Sequence, residues 1–378
     1  MIQVFSNSLG QEELAAIERV FESRWVGKGE KCEEFEREFG KHLRATNVLL
    51  TNNCTAAICL ALKALNITAG DEVIISTINF VACASAIVDV GAIPLFADVH
   101  PETLNILPSE IERLTTPKTT AVLVLHYGGH PSPMSDIGAV CGKRIQIIED
   151  SANAVSSSYM GTMCGTIGDA GVFSFDAMKI LVTIDGGALV IKGQEAFGRA
   201  KALRYLGYAS ETTSGMEAMR KKGLRWWEYD LVATSGRFIS NDVSAAIGLE
   251  QLKKLPHFLS RRKQIWGAYQ KELSGIEAIR CPPEPLPGAT TSYYLYWIQL
   301  PKGRDSLAAY LAENDVYTTF RYYPLHLVGY FKAQCRLPNA EEASRTTLNL
   351  PLHQNMTDKD VDKICSLVKS FVRKHLQT

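Results

Sequence analysis

EDSANAVSSSYMGTMCGTIGDAGVFSFDAMKILVTIDGG spans Glu149–Gly187. It begins at the end of one apolar run, IQIIED (145–150), and contains a second, GVFSF (171–175). Lys179 and the Gly186-Gly187 turn follow, and a third run, GALVI (187–191), starts at once. Toward the N-terminus the same kind of run recurs as NVLLT (47–51), EVIIST (72–77), PLFADV (94–99) and AVLVLHY (121–127). Helix-like patterns fill 55–65 and 80–90. Short, continuously apolar strands between helices predict an α/β fold with a mostly parallel sheet covered on both faces. GVFSF and GALVI lie too close for a helical crossover, so that section is expected to be antiparallel or looped.

Outside this block the patterns change. Leu14, Ile17, Val20 and Phe21 have helical spacing after the loop residues Ser8 and Gly10. A long helix is expected over Asp242–Leu273, with AAIGLEQL near its start. Beyond it come a strand at Tyr294–Leu300, a helix at 306–314, a strand at Tyr317–Tyr322 and a last helix at 358–375. The expected organisation is a large domain over 1–255, including the N-terminal helix, and a smaller α+β domain over 256–378.

Composition excludes several classes of function. The chain has 378 residues and is 46% hydrophobic, with 40 Lys plus Arg against 40 Asp plus Glu. Nucleic-acid binders usually carry a basic excess, so no nucleic-acid partner is expected. MIQVFSNSLGQEEL lacks the basic-then-apolar order of a signal peptide. No apolar run approaches the ~20 residues that span a bilayer, so no membrane partner is expected. The nine cysteines are odd in number and form no CxxC pair. That argues against a metal site and a disulfide framework, and for reduced thiols in a cytoplasmic protein.

Ligands of open α/β sheets bind at the carboxyl ends of strands. Asp150 ends a very apolar strand, where a carboxylate stays ionised only with a cationic or hydrogen-bonding partner. A protonated pyridine nitrogen is such a partner. Lys179 follows GVFSF, and burial there would lower its pKa and favour Schiff-base chemistry. Thr51-Asn52-Asn53-Cys54-Thr55 joins a strand to a helix N-terminus, whose free N–H groups can hold a phosphate. With no GK[ST], a nucleoside triphosphate is not indicated. Singly, each has an ordinary reading: a strand-end turn, a solvated loop lysine, a helix cap. In chain order, on one sheet, they make the parts for pyridoxal 5′-phosphate (PLP).

The Glu149–Gly187 stretch resembles the DegT/DnrJ/EryC1/StrS sugar aminotransferases of PLP fold type I. WVGKGEKCEEFEREF (25–39), GDEVIISTINFVACASAI (70–87), PLFADVHPETLNI (94–106), RYYPLH (321–326) and LNLPLH (348–353) extend the resemblance over nearly the whole chain. It implies Lys179 as the catalytic lysine that carries the cofactor and moves the proton. It also implies Asp150 at the pyridine nitrogen, Asn153 near the phenolic oxygen, Phe80 stacked on the ring, and Cys54, Thr55 and Ser174 at the phosphate. Arg237 stands where the family has an asparagine that reaches the neighbouring subunit's phosphate, which implies a homodimer with shared active sites. Cys54 replaces a family glycine, and Ile184-Asp185-Gly186-Gly187 replaces Gly-Glu-Gly-Gly.

Family members acting as dehydratases carry histidine at the position of Lys179, so lysine implies transamination. L-glutamate is the implied donor. The implied acceptor is a nucleotide-linked keto sugar, and VYTTFRYYPLH resembles enzymes acting at C4 of dTDP-4-keto-6-deoxy-D-glucose. Amination at C3, or a non-catalytic PLP-binding regulator, stays open as an alternative. Trp25, Arg321, Tyr322 and His326 are the substrate-site candidates. His326 reads equally as a packed histidine after a Pro-Leu turn. Tyr293-Tyr294, Trp226 and Trp227 could stack on a base or simply pack.

Overall fold

The computed structural model describes residues 1–209 and 227–376. Helices α1 (Gln11–Glu22) and α2 (Glu30–Leu43) precede β1 (Val48–Thr51) and α3 (Cys54–Ala64). Then follow β2 (Glu72–Ser76), α4 (Val81–Asp89), β3 (Ile93–Ala97), α5 (Pro108–Leu114), β4 (Thr119–Leu125), α6 (Met134–Cys141) and β5 (Gln146–Asp150). Two short strands, β6 (Ser158–Tyr159) and β7 (Thr162–Met163), come before β8 (Ala170–Ser174), β9 (Gly187–Ile191) and α7 (Gln194–Arg204). After residue 226 the elements are α8 (Asp242–Leu273), β10 (Ala289–Thr290), β11 (Tyr296–Gln299), α9 (Arg304–Glu313), α10 (Pro338–Thr346), β12 (Thr347–Leu350) and α11 (Asp358–His375).

The main sheet has the order β1-β9-β8-β5-β4-β2-β3. Pairs β2–β3, β2–β4, β4–β5 and β5–β8 are parallel, while β9 runs antiparallel to both β8 and β1. The short GVFSF–GALVI link is the cause: it leaves no room for a crossover helix. Strand residues alternate between two buried cores. Val73, Ile75, Leu123 and Leu125 join one cluster, while Ile74, Val122 and Val124 join the cluster on the opposite face. Burial on both faces explains why these strands read as continuous apolar runs.

α8 starts at the cap Asn241, whose side chain accepts the Ser244 N–H. It supplies Ala245, Leu249, Leu255 and Phe258 to the sheet core, then Ile265, Trp266, Tyr269 and Leu273 to another cluster around β11, β12 and α11. The cores do not divide cleanly along the chain. Tyr294, Leu295, Trp297 and Leu325 pack with the sheet core. Ile2 packs against the C-terminal cluster. Asp98, just after β3, accepts the Asn339 and Ala340 N–H groups at the start of α10, tying the C-terminal region to the sheet. Among the described residues, no helix is long and apolar enough to cross a membrane.

One local expectation is corrected. Residues Tyr317–Tyr322 do not form a strand; the segment makes single bridges only, such as Thr319 with Asn349. Asn349 lies on β12, whose regular partner is β11. Helix α1 buries Glu13, Ala16 and Val20, leaving Leu14 58% and Phe21 60% exposed. Glu13 decides the orientation, because its carboxylate accepts from Gln251 and Lys254 of α8, both at 2.8 Å. Small Ala16 then packs with Ala246 of α8.

Two buried histidines make stability pH-dependent. Burial holds His130, beside Trp297 and Trp266, and His353 down to about 4, against 6.5 in the unfolded chain. Their folded-state pKa values are depressed, so their contribution is intact above about pH 6.5 and is lost as pH falls toward 4. Thermal melts from pH 7.5 to 4.5 should show a falling midpoint, and His130→Asn should reduce the slope. A flat profile in the wild type would contradict this.

Candidate active site

The sheet register builds the site. Gly187 pairs with both Thr51 of β1 and Ser174 of β8, and Asp150 of β5 lies beside Val172 of β8. Thr51, Ser174 and Asp150 therefore share one edge, the carboxyl ends of strands running in one direction. The loop after β8 carries Lys179 to that edge. A Cβ at Gly187 would lie 2.7 Å from the Asn53 carbonyl and the Cys54 nitrogen. Only glycine lets β9 start directly beneath the N-terminus of α3.

At that N-terminus Asn53 accepts the Ala56 N–H at 2.8 Å. The N–H groups of Cys54 and Thr55 precede the first intrahelical bonds, and a helix N-terminus favours an anion. Thr55 is exposed. Burial, then Asp150, push the Cys54 thiol up.

Lys179 Nζ donates to Asn153 Oδ1 at 3.2 Å and lies 4.9 Å from the Tyr294 ring centroid. Its expected pKa lowering is not found. Burial does push the ammonium down, but Tyr294, Tyr322, Asp150 and Cys54 outweigh it and the net direction is upward. Those acidic neighbours come from distant segments, which explains why local sequence missed them. Asn153 Nδ2 is buried with no partner among the described residues. Its backbone carbonyl accepts the Ser292 hydroxyl at 2.6 Å. This contact depends on Gly129 (φ +90°), where a Cβ would lie 2.2 Å from that hydroxyl.

Asp150 uses both oxygens. Oδ1 accepts the Ala152 N–H at 3.0 Å, and Oδ2 accepts the Cys83 S–H at 3.2 Å. Burial raises the Cys83 thiol well above its ordinary value, so it keeps the proton it donates. Phe80 precedes α4, is 53% exposed, and lies 5.8 Å from the Tyr322 ring. Arg321 stacks over Phe5 at 4.5 Å, and its Nη2 reaches Met178 Sδ at 3.2 Å.

Trp25 is 52% exposed on the α1–α2 loop, donating from Nε1 to the Lys28 carbonyl. Arg237 is exposed, with its guanidinium 5.7 Å from the Tyr205 ring. Its segment meets the end of β1, where Asn52 N–H donates to the Phe238 carbonyl at 3.0 Å. Trp227 is exposed, and Trp226 falls outside the described residues. Tyr293 packs on Trp266, whereas Tyr294 reaches Lys179. His326 is buried. Its backbone N–H donates to Thr77 Oγ1, its Nδ1 shares a hydrogen bond with the same hydroxyl at 2.7 Å, and Nε2 faces Glu341 at 3.6 Å.

His126, Glu149 and Cys164 are also buried together, within 4.8 Å. Their polar atoms are engaged in structure. Glu149 accepts the N–H groups of Gly165, Ile167 and Gly168, and His126 Nδ1 accepts that of Ser132. The cluster anchors the β7–β8 turn beside Asp150.

The model of the DegT/DnrJ/EryC1/StrS aminotransferase family matches residues 7–369. The chain belongs to this aminotransferase family. It is 43% identical over 380 residues to the dTDP-4-dehydro-2,3,6-trideoxy-D-glucose 4-aminotransferase of Saccharopolyspora spinosa, covering 100% of this chain and 98% of the relative. The crystal structure of the aminotransferase TlmJ from Streptoalloteichus hindustanus superposes with a TM-score of 0.93 at 43% identity, covering 99% of each chain. A Streptococcus pneumoniae protein, provisionally assigned as a sugar aminotransferase, is solved in PMP and PLP forms. These give TM-scores of 0.90 and 0.88 at 26% identity, covering 99% and 98% of this chain and 100% and 98% of theirs.

The aminotransferase site has an unpaired buried amide at Asn153, an anion-seeking helix end and a carboxylate fixed at the sheet edge, which together fit a phosphorylated pyridine aldehyde. Phe5, Cys83, Met178 and Tyr294 complete the surroundings. Of these, sequence reasoning considered only Tyr294, and for another role. Phe5 lies 174 positions from Lys179 and carries no local signal.

His326 tests the boundary of the site. His326→Gln should lower folding stability by about 1–2 kcal/mol through its hydrogen bond to Thr77, with both substrate KM values within about twofold of wild type. A large KM change at unaltered stability would place it against substrate instead.

Proposed function

We propose that this aminotransferase uses PLP to move the amine of L-glutamate onto C4 of dTDP-4-keto-6-deoxy-D-glucose. The observation that carries the reading is Lys179, partly buried between Asn153 and Tyr294 at the edge that also holds Asp150 and the α3 N-terminus. The 4-aminotransferase activity named for the Saccharopolyspora spinosa relative supports the choice of a dTDP-linked sugar and of C4.

PLP supplies the electron sink when bound. The protein does the rest. Asp150, its carboxylate fixed by two hydrogen bonds, would hold a proton at the pyridine nitrogen. Asn153 would offer its free Nδ2 to the phenolic oxygen. Cys54, Thr55 and Ser174 would receive the phosphate, and Phe80 would cover the ring. Lys179 would carry the cofactor and act as the acid and base that moves one proton at the substrate carbon. Tyr322 and Arg321 line the approach from the C-terminal region. Glutamate reacts first and the keto sugar second, at the same lysine.

We also propose a cytoplasmic homodimer. The exposed Leu14 and Phe21 support a partner face. The exposed Arg237 is free to reach the neighbouring subunit's phosphate, and all nine cysteines are unpaired.

Borohydride reduction followed by peptide mass spectrometry should find the cofactor fixed to Lys179, and glutamate beforehand should abolish the trapping. Lys179→Ala should bind the cofactor without trapping it and should lose at least about 1,000-fold in turnover. Attachment at another lysine would refute the assignment. For the acceptor, the 4-keto-6-deoxy sugar should react faster than its 3-keto isomer, with the product amine at C4 by NMR. The 2,3-dideoxy counterpart belongs in the same comparison, and its preference would move the substrate toward that of the Saccharopolyspora relative.

A further inference from the structure

Arg321 is held in place before any ligand arrives. Its N–H donates to Asn349 Oδ1 at 2.7 Å. Its carbonyl accepts the Tyr127 hydroxyl, which also lies 3.4 Å from Asn349 Nδ2. The side chain lies over Phe5 at 4.5 Å and near Tyr322 at 5.9 Å. Aromatic faces on a guanidinium fix its plane and leave its edge free. Of its five N–H donors, the hydrogen-bond partner among the described residues is a thioether, Met178 Sδ at 3.2 Å. No carboxylate of the described residues lies within ion-pair distance of it. The partly exposed guanidinium, flanked by rings and with no carboxylate partner among the described residues, is open to an anion.

Its position identifies the anion. Met178 immediately precedes Lys179. Phe5, under the guanidinium, stacks on Tyr294 at 5.5 Å, and Tyr294 holds the Lys179 amine. The cation thus lies one layer of rings from the reacting nitrogen. In an α-amino acid the carboxylate sits on the very carbon that bears the reacting amine. In a nucleotide sugar the sugar ring separates the diphosphate from C4. The planar fork of arginine also matches a carboxylate with two parallel hydrogen bonds.

We propose that Arg321 is the specificity-determining residue that binds the α-carboxylate of the amino donor. This rests on the aminotransferase reading above and assigns the donor subsite within it. It gives Arg321 a part in the glutamate half-reaction, with Phe5 and Tyr322 as the rings that hold its plane.

The test uses the PLP-loaded protein, Arg321→Gln and Arg321→Lys. Three ligands are titrated against the cofactor spectrum: L-glutamate, glutarate as a dicarboxylate without an amine, and dTDP as the diphosphate probe. In Arg321→Gln, glutamate and glutarate should bind about tenfold to a hundredfold more weakly, the loss of a charge-assisted pair. Cofactor content, melting temperature and dTDP affinity should hold at the wild-type values. Arg321→Lys should recover only part of the loss, because a point charge does not reproduce the fork. Unchanged glutamate and glutarate affinity would overturn the proposal. Loss of dTDP binding alone would also overturn it and assign the guanidinium to the diphosphate. If wild type binds glutarate through Arg321 but glutamate leaves its spectrum unchanged, the donor reading fails while the carboxylate site stands.

Discussion

Gly187 is where the sheet and the site meet. β9 enters the sheet antiparallel there, between Thr51 and Ser174, and its first residue has no room for a side chain beneath the α3 N-terminus. That pairing puts the end of β1, the end of β8 and the start of α3 in one place. A one-residue slip would turn every side chain of β9 to the other face, and the helix end would lose its alignment with Ser174. The lysine loop closes the gap between β8 and β9, so its reach is set by the same register. The sheet could tolerate repacking elsewhere, but the site depends on this junction.

Around the junction, polar groups are fixed in pairs so that a few stay free. Asp150 has a backbone and a thiol donor, and Glu149 next to it ties down the 165–168 turn. Asn153 spends its carbonyl groups on Lys179 and Ser292 and keeps its amide nitrogen unspent. Arg321 has its backbone bound at both ends and its guanidinium nearly unbound. Buried donors left open are costly in a folded protein. Here the open donor is Asn153 Nδ2, which a bound cofactor would satisfy.

Which parts could be read without coordinates follows from how local each signal is. Asp150 ends an apolar strand and Lys179 lies in the loop after another, positions that are ordinary singly, and the resemblance implies their roles. The long helix was marked by periodicity and caps that lie within it. Tyr317–Tyr322 read as a strand because it is aromatic and β-branched, yet pairing depends on a partner edge that sequence does not show. The buried face of α1 turns on Glu13, whose partners, Gln251 and Lys254, lie over 230 residues away, so apolar periodicity does not show it. His326 was balanced between ligand and packing, and only the positions of Thr77 and Glu341 make it a packed residue.

Sequence by itself determined the parallel α/β order and the antiparallel return at GALVI, which are short-range patterns of strand and linker length, and the resemblance along the chain pointed to the family. Tertiary structure alone decided the electrostatic state of Lys179 and the surroundings of Arg321. Both depend on groups from segments far apart in the chain, Phe5, Tyr127, Tyr294, Tyr322 and Asn349. Coulombic and stacking interactions act through space over a few ångströms, so spacing along the chain carries no record of them.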